Sequence, residues 1–398
     1  MEPLGIFGIT GQIIVLFWPV WLGMIVVFGL SYMFRANLGL YGKLYGSTPG
    51  IIGFGIVLFW FLTAVFADAI APFDEISQIS GMKNKVPGTP VPEMEGMYYL
   101  FGGDNLARDV FSRVVKGSQV VFVIAPLATL FAFMVGITLG LPAGFFTGRL
   151  DTFLSFVANL VLAFPVILLF YLLVTPEIRN TGYELLRFGD FSWRSSIPNV
   201  LAAILFLFPI IFLLVLFQSK FYTQPSKRNT LIIVTLIVGA WFYLGVAFNA
   251  DPIGLIRMDP NILNIFVAVV FVNSPTVFRI VRGLVMDIKT RDYVAAAQTR
   301  GEGPWYIMLW EILPNARGPL IVDFCLRIGY TTILLGTLGF FGLGLSPESA
   351  DWGSTINEGR KLLSIYPHPA IPPALALMSL VLGLNLLADG LREESLKD

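Results

Sequence analysis

Nine stretches of the sequence, 12–33, 50–68, 118–143, 152–174, 197–218, 230–249, 261–282, 319–345 and 370–389, are predominantly apolar and close to 20 residues or longer. That is about the length a helix needs to cross the hydrocarbon core of a bilayer. In that core a spanning segment has to satisfy its own backbone polar groups, which the α-helix does. The expected fold is therefore all-α, a polytopic bundle of transmembrane helices. Composition agrees. Only 13% of the 398 residues are charged and 56% are hydrophobic, whereas soluble domains carry roughly a quarter charged residues. Residues 1–12 contain no Lys or Arg, and no small-residue cleavage site follows the first apolar run. That run reads as a retained helix rather than a signal peptide.

Several function classes fall away at once. The formal net charge is zero, so nothing marks nucleic acid as a partner. The single cysteine, Cys325, can form no internal disulfide, and the single histidine, His368, argues against a histidine-based metal site. No G-x-x-x-x-G-K-[ST] occurs, so the chain has no recognisable phosphate cradle and should hold no cofactor of its own.

Orientation follows the Lys/Arg bias of short loops. With nine spans the termini lie on opposite sides. If the N-terminus is outside, the cytoplasmic loops are 34–49, 144–151, 219–229 and 283–318, with the tail from 390. That side carries the larger share of the 26 basic residues. N-out and C-in is the expected topology, in a bacterial inner membrane.

One loop stands out: "YVAAAQTRGEGPWYIMLWEILPN", residues 293–315. At mid-bilayer Arg291, Asp292, Arg300 and Glu302 would each cost about 3 kcal/mol, so the segment stays out of lipid. Thr290 is a candidate N-cap, with Asp292 in the first turn. Gly301 can end that helix in a left-handed conformation, and Pro304 suits the first position of the next. Trp305, Met308, Leu309 and Ile312 then form one apolar stripe that needs a covering surface. A helix resting on lipid headgroups is the plain alternative to a protein-docking element.

The spacing resembles the "EAA" loop of ATP-binding-cassette importer permeases, written E-A-A-x3-G-x9-I-x-L-P. Here it reads Ala295-Ala296-Ala297, three residues, Gly301, nine residues, then Glu311-Ile312-Leu313-Pro314. Ala295 replaces the acid, and Glu311 stands where isoleucine is usual. "FGGDNLARDVFSRVVKGSQ" (101–119) resembles the Gly-Thr-Asp-x-x-Gly-Arg-Asp-x-x-Ser-Arg segment of the C-type permeases of dipeptide, oligopeptide and nickel importers. Asp104, Arg108, Asp109, Ser112 and Arg113 match, while Gly103 and Ala107 differ. "GRLDTFLS" (148–155), "LGFFGLGLSPESADWGSTINEGRKLL" (338–363) and "NLLADGLREESL" (385–396) follow in the family's order.

The resemblance implies a type I permease core of six helices in two parts, 50–174 and 260–398. An extra N-terminal helix and loop precede it (1–49), and a helical hairpin is inserted at 175–259. It implies a permease subunit that catalyses nothing and forms half of a path for peptides, nickel chelates, opines or similar solutes. The implied partners are a homologous second permease, two ATPase subunits that carry the ATP, an extracytoplasmic binding protein and membrane lipid. Ala295, Ala296, Ala297, Gly301, Trp305, Met308, Leu309, Ile312, Leu313 and Pro314 would couple the chain to the ATPase. Asp323 and Arg327, spaced i, i+4 near the start of a span, read as a structural charge pair. The rival readings are an ion-coupled secondary transporter and a membrane assembly protein. The first lacks mid-span acids, since Asp68, Asp323 and Asp389 all lie near span ends. The second leaves the loop pattern unexplained.

Overall fold

The apolar runs do coil into helices, and where they break, a proline stands near the break. In the computed structural model, residues 3–92, 94–174, 183–188, 191–195, 197–248, 260–344 and 349–395 are described. The principal elements are α1 (Ile6–Leu16), α2 (Trp18–Met33), α3 (Thr48–Val65), the short strands β1 (Thr89–Pro90) and β2 (Tyr98–Tyr99), and α4 (Val110–Phe146). Next come α5 (Arg149–Ala163), α6 (Val166–Val174), the strands β3 (Tyr183–Phe188) and β4 (Phe191–Ser195), α7 (Ile197–Leu205), α8 (Leu207–Lys220) and α9 (Pro225–Phe248). The chain ends with α10 (Pro260–Ile288), α11 (Asp292–Thr299), α12 (Arg317–Phe340), α13 (Trp352–Arg360) and α14 (Ile371–Ser395).

Among the described residues seven helices are long and apolar enough to cross a membrane: α3, α4, Val200–Lys220, α9, α10, α12 and α14. The run expected as one helix over 12–33 is a pair, α1 and α2, bent by 55°. Pro19 lies within the first two positions of α2, where it supplies no amide hydrogen and its ring crowds the preceding turn. The run at 152–174 is also broken. Its two helices, α5 with 15 residues and α6 with 9, flank Phe164-Pro165. Phe164 is extended, as a residue before proline prefers, and neither helix alone reaches the spanning length. Within the polar stretch "YELLRFGDFSWRSS", β3 pairs antiparallel with β4. Residues 175–182, 189–190, 196 and 249–259 of the expected insertion lie outside the described residues.

The chain divides into two compact units: Met1–Pro126 with Ile321–Asp398, and Leu127–Leu320. In the first, α3 and α14 pack with their backbones nearly touching. A Cβ on Gly53 would lie 2.3 Å from the Leu387 amide nitrogen, and one on Gly390 would lie 2.4 Å from the Gly50 Cα. Small residues at such a seam let backbones approach where no hydrophobic effect drives helices together. Leu58 and Leu62 of α3 then close over Phe17, Val20 and Phe111.

In the second unit the close contact lies between the later turns of α4 and α10. Gly136, Gly140 and Gly144, spaced i, i+4, face Val277, Val281 and Val285, spaced the same way; Cβ atoms added at the glycines would fall 2.5, 2.9 and 2.8 Å from those valines. α10 has 72% of its apolar window buried, against 17% for Val200–Lys220 and for Pro225–Val246. The inserted pair is peripheral within its unit.

Candidate docking elbow and the buried charge cluster

The polar loop folds as an elbow. α11 begins after Arg291, which is extended. Thr290 is not the cap expected from the sequence: its hydroxyl donates back to the Asp287 carbonyl at 2.9 Å, because the preceding helix offers it an orphan acceptor first. α11 closes in a Schellman motif. The Gly301 amide donates to the Gln298 carbonyl at 3.0 Å and the Glu302 amide to the Ala297 carbonyl at 3.2 Å. Gly301 has φ +79°, a conformation that costs other residues roughly 1–2 kcal/mol. Pro304 then opens the second arm, as its fixed φ favours.

The second arm is not regular. Between the turns Pro304–Tyr306 and Leu313–Asn315 lies a π-helical stretch, Ile307–Ile312. The wider turn shifts the apolar face. Ile307, Met308, Leu309 and Ile312 are all buried, while Trp305 stays exposed. The stripe expected at 305, 308, 309 and 312 is thus corrected at its first position: Trp305 leaves it and Ile307 enters. Met308, Leu309 and Ile312 pack inside the chain, against α11 and α10, so the stripe finds its covering surface within the chain itself. Of the remaining motif residues, Ala297 is buried and Leu313 half-buried. Ala295, Ala296, Gly301 and Pro314 are exposed.

The departures from the motif find physical roles here. Glu311 accepts a hydrogen bond from Arg300 at 2.8 Å, tying the second arm to the end of the first. Two further contacts went unforeseen because their partners lie about 90 residues apart. The Trp310 indole donates to Ser219 Oγ at 3.1 Å, and Lys220 Nζ lies 5.0 Å from the centre of the same ring. Only a clue existed in the sequence, a tryptophan amid an amphipathic helix.

The second cluster lies at 104–113. Asp104 caps a tight turn: its Oδ1 accepts from the amides of Leu106 at 2.8 Å and Arg108 at 2.9 Å. Its Oδ2 accepts from Arg108 Nε at 2.6 Å, and Arg108 also pairs with Glu358. Asp109 begins α4 instead, accepting from the Ser112 amide and hydroxyl at 2.9 and 2.7 Å. Burial pushes its carboxyl up to about 7. Arg113 is fully buried and donates to the carbonyls of Glu75 and Ser349 and to Thr355 Oγ1. These bonds hold Trp352, whose indole donates to the Val114 carbonyl at 2.9 Å. The cluster joins segments some 240 residues apart in sequence, so its charges are architectural.

Arg327 Nε donates to Asp323 Oδ2 at 2.9 Å, both side chains being largely buried. The glycines of "LGFFGLGL" divide their work. Gly339 lets Asp351 approach, since a Cβ there would lie 2.6 Å from its Oδ1, and Gly342, φ +76°, turns the chain just past the end of α12. No group of three or more His, Cys, Asp or Glu suited to a metal occurs among the described residues.

Residues 136–393 match the family described as "Binding-protein-dependent transport system inner membrane component". The chain is 28% identical over 295 residues to a glutathione transport system permease protein of Pectobacterium atrosepticum, covering 74% of this chain and 71% of that one. It is 26% identical over 348 residues to a dipeptide transport system permease protein of Haemophilus influenzae, covering 86% and 88%. A glutathione transport system permease protein of Escherichia coli is 27% identical over 337 residues, covering 85% and 82%.

Proposed function

The chain belongs to the family of binding-protein-dependent transport system inner membrane components, and from that premise we propose that it forms half of an import path for short peptides or similar small solutes. It is a multi-pass inner-membrane permease subunit of an ATP-binding-cassette importer, a transport component and not an enzyme. The finer reading is as follows. A homologous permease completes the path, two ATPase subunits bind the ATP, and an extracytoplasmic binding protein delivers the solute. Peptides are favoured because the relatives include permeases named for glutathione and for dipeptides.

The observation that carries the mechanism is the elbow. Its inner face is anchored to α10 by buried Ile307, Met308, Leu309 and Ile312, while its outer face, Ala295, Ala296, Gln298 and the Gly301 turn, stays open. A lever needs both, a rigid root in the span and a free tip for the motor. When ATP draws the ATPases together, the elbow moves as a body and tilts α10 and α12, shifting the population from inward-open to outward-open. The hydrogen bond between Trp310 and Ser219 supports a topology in which the 219–229 turn and the elbow share one side of the membrane, with an even number of crossings between them. With the Lys/Arg bias, that side is the cytoplasm, N-out and C-in.

The deciding experiment is ATP-driven uptake in proteoliposomes holding the whole complex, with a cysteine at Ala296 crosslinked to the ATPase. Crosslinking at Ala296 that also blocks uptake is the expected outcome. Unimpeded uptake with an Ala296 that reaches no ATPase would sink the reading.

A further inference from the structure

Residues 191–250 contain no Asp or Glu, yet the end of α8 carries Lys220 and the first turn of α9 carries Lys227 and Arg228. This turn is not a loose end. The Trp310–Ser219 hydrogen bond and the Lys220–Trp310 cation–π contact fasten it to the elbow. The first turn of the second arm, Pro304–Tyr306, also packs against α8. Between them lies an open cleft of about 460 Å³, lined by Gln218, Ser219, Tyr222, Glu302, Trp305 and Tyr306. Tyr222 is 75% exposed and Trp305 37%. Aromatic side chains set around a largely apolar cleft, with Glu302 in its wall and Lys220 beside it on Trp310, resemble the core of a protein interface more than a lipid-facing surface.

We infer that the 218–229 turn is a second docking surface for the ATPase subunit, continuous with the elbow, and that it receives an acidic stretch of that protein. The inference rests on the reading of the elbow as the ATPase contact. Because the turn and the second arm are fastened together, a partner seated on the elbow tip meets the turn without further rearrangement. Lys227 and Arg228, in a stretch with no Asp or Glu from 191 to 250, set the sign of the surface it must present to the turn. The inserted hairpin thereby gains a function that its lipid-exposed helices do not suggest: it widens the footprint of the motor.

The test uses the full complex in native membranes, with a photo-crosslinking residue placed at Gln224 in one variant and at Ala296 in another. The expected result is that both positions label the ATPase. K227E/R228E should then reduce the ATPase retained on the purified permease roughly tenfold at moderate salt, with unchanged permease abundance. Labelling of the ATPase from Ala296 alone, with only lipid labelled from Gln224, overturns the inference and leaves the elbow reading standing. Failure of both positions to label it overturns the elbow reading and the inference with it.

Discussion

Gly301 shows how much a single residue can determine in this chain. Nothing lies within 4 Å of a Cβ added there, so substitution costs only the left-handed backbone, roughly 1–2 kcal/mol. Gly301→Val is therefore expected to insert and assemble normally yet uncouple ATP hydrolysis from uptake. Gly301→Asn, which tolerates that conformation better, should keep most of the coupling; the ratio of solute imported to ATP hydrolysed decides. Asp109 yields a second prediction. Its carboxyl is raised from 3.8 to about 7 by burial, so its contribution to stability is complete below 3.8 and is lost as pH rises through 7. His368 runs the other way. Burial beside the Gly103 carbonyl lowers it from 6.5, so its contribution is present above 6.5 and is lost as pH falls. Asp109→Asn should remove the decline between about pH 4 and 7 and leave the His368 loss below 6.5, read as thermal midpoints in nanodiscs from pH 4 to 8.

At the scale of elements, the second arm of the elbow separates two kinds of residue that share one sequence stripe. Met308 is completely buried, so Met308→Ala should cost about 2–5 kcal/mol and lower the amount of folded permease. Trp305 is exposed, and Trp305→Ala should leave abundance unchanged while weakening coupling. A melting curve beside an uptake assay tells them apart, and equal loss of stability in both variants counts against the arrangement. The helix seam makes a similar demand. Gly140→Leu has no room against Val281 and should prevent a stable second unit from forming, measured as protease sensitivity of residues 127–320.

For the whole molecule, the family membership means that purified chain alone should hydrolyse no ATP, and that hydrolysis should appear only with the ATPase subunits added. Activity in a rigorously purified chain would contradict the proposal that ATP is held by partners alone. Residues 104–114 and 351–358 meet through Arg108–Glu358, Arg113–Thr355 and Trp352. Their charges matched the resemblance in the sequence, but not one of these pairings could be read from it.

The sequence by itself determined seven of the nine expected membrane-length helices, the elbow and its Gly301 turn, and the family. Each depends on local chemistry: apolar length, a residue free to adopt positive φ, a proline at a helix start. Only the tertiary structure decided which face of the second arm is buried, since a π-turn moves the register by a residue and leaves no composition signal. The breaks near Pro19 and Pro165 were marked by their prolines, yet hydropathy is blind to direction and read straight through them. Trp310 with Ser219, and Arg108 with Glu358, are brought together by packing between segments distant in the chain, and that information is held by the fold as a whole.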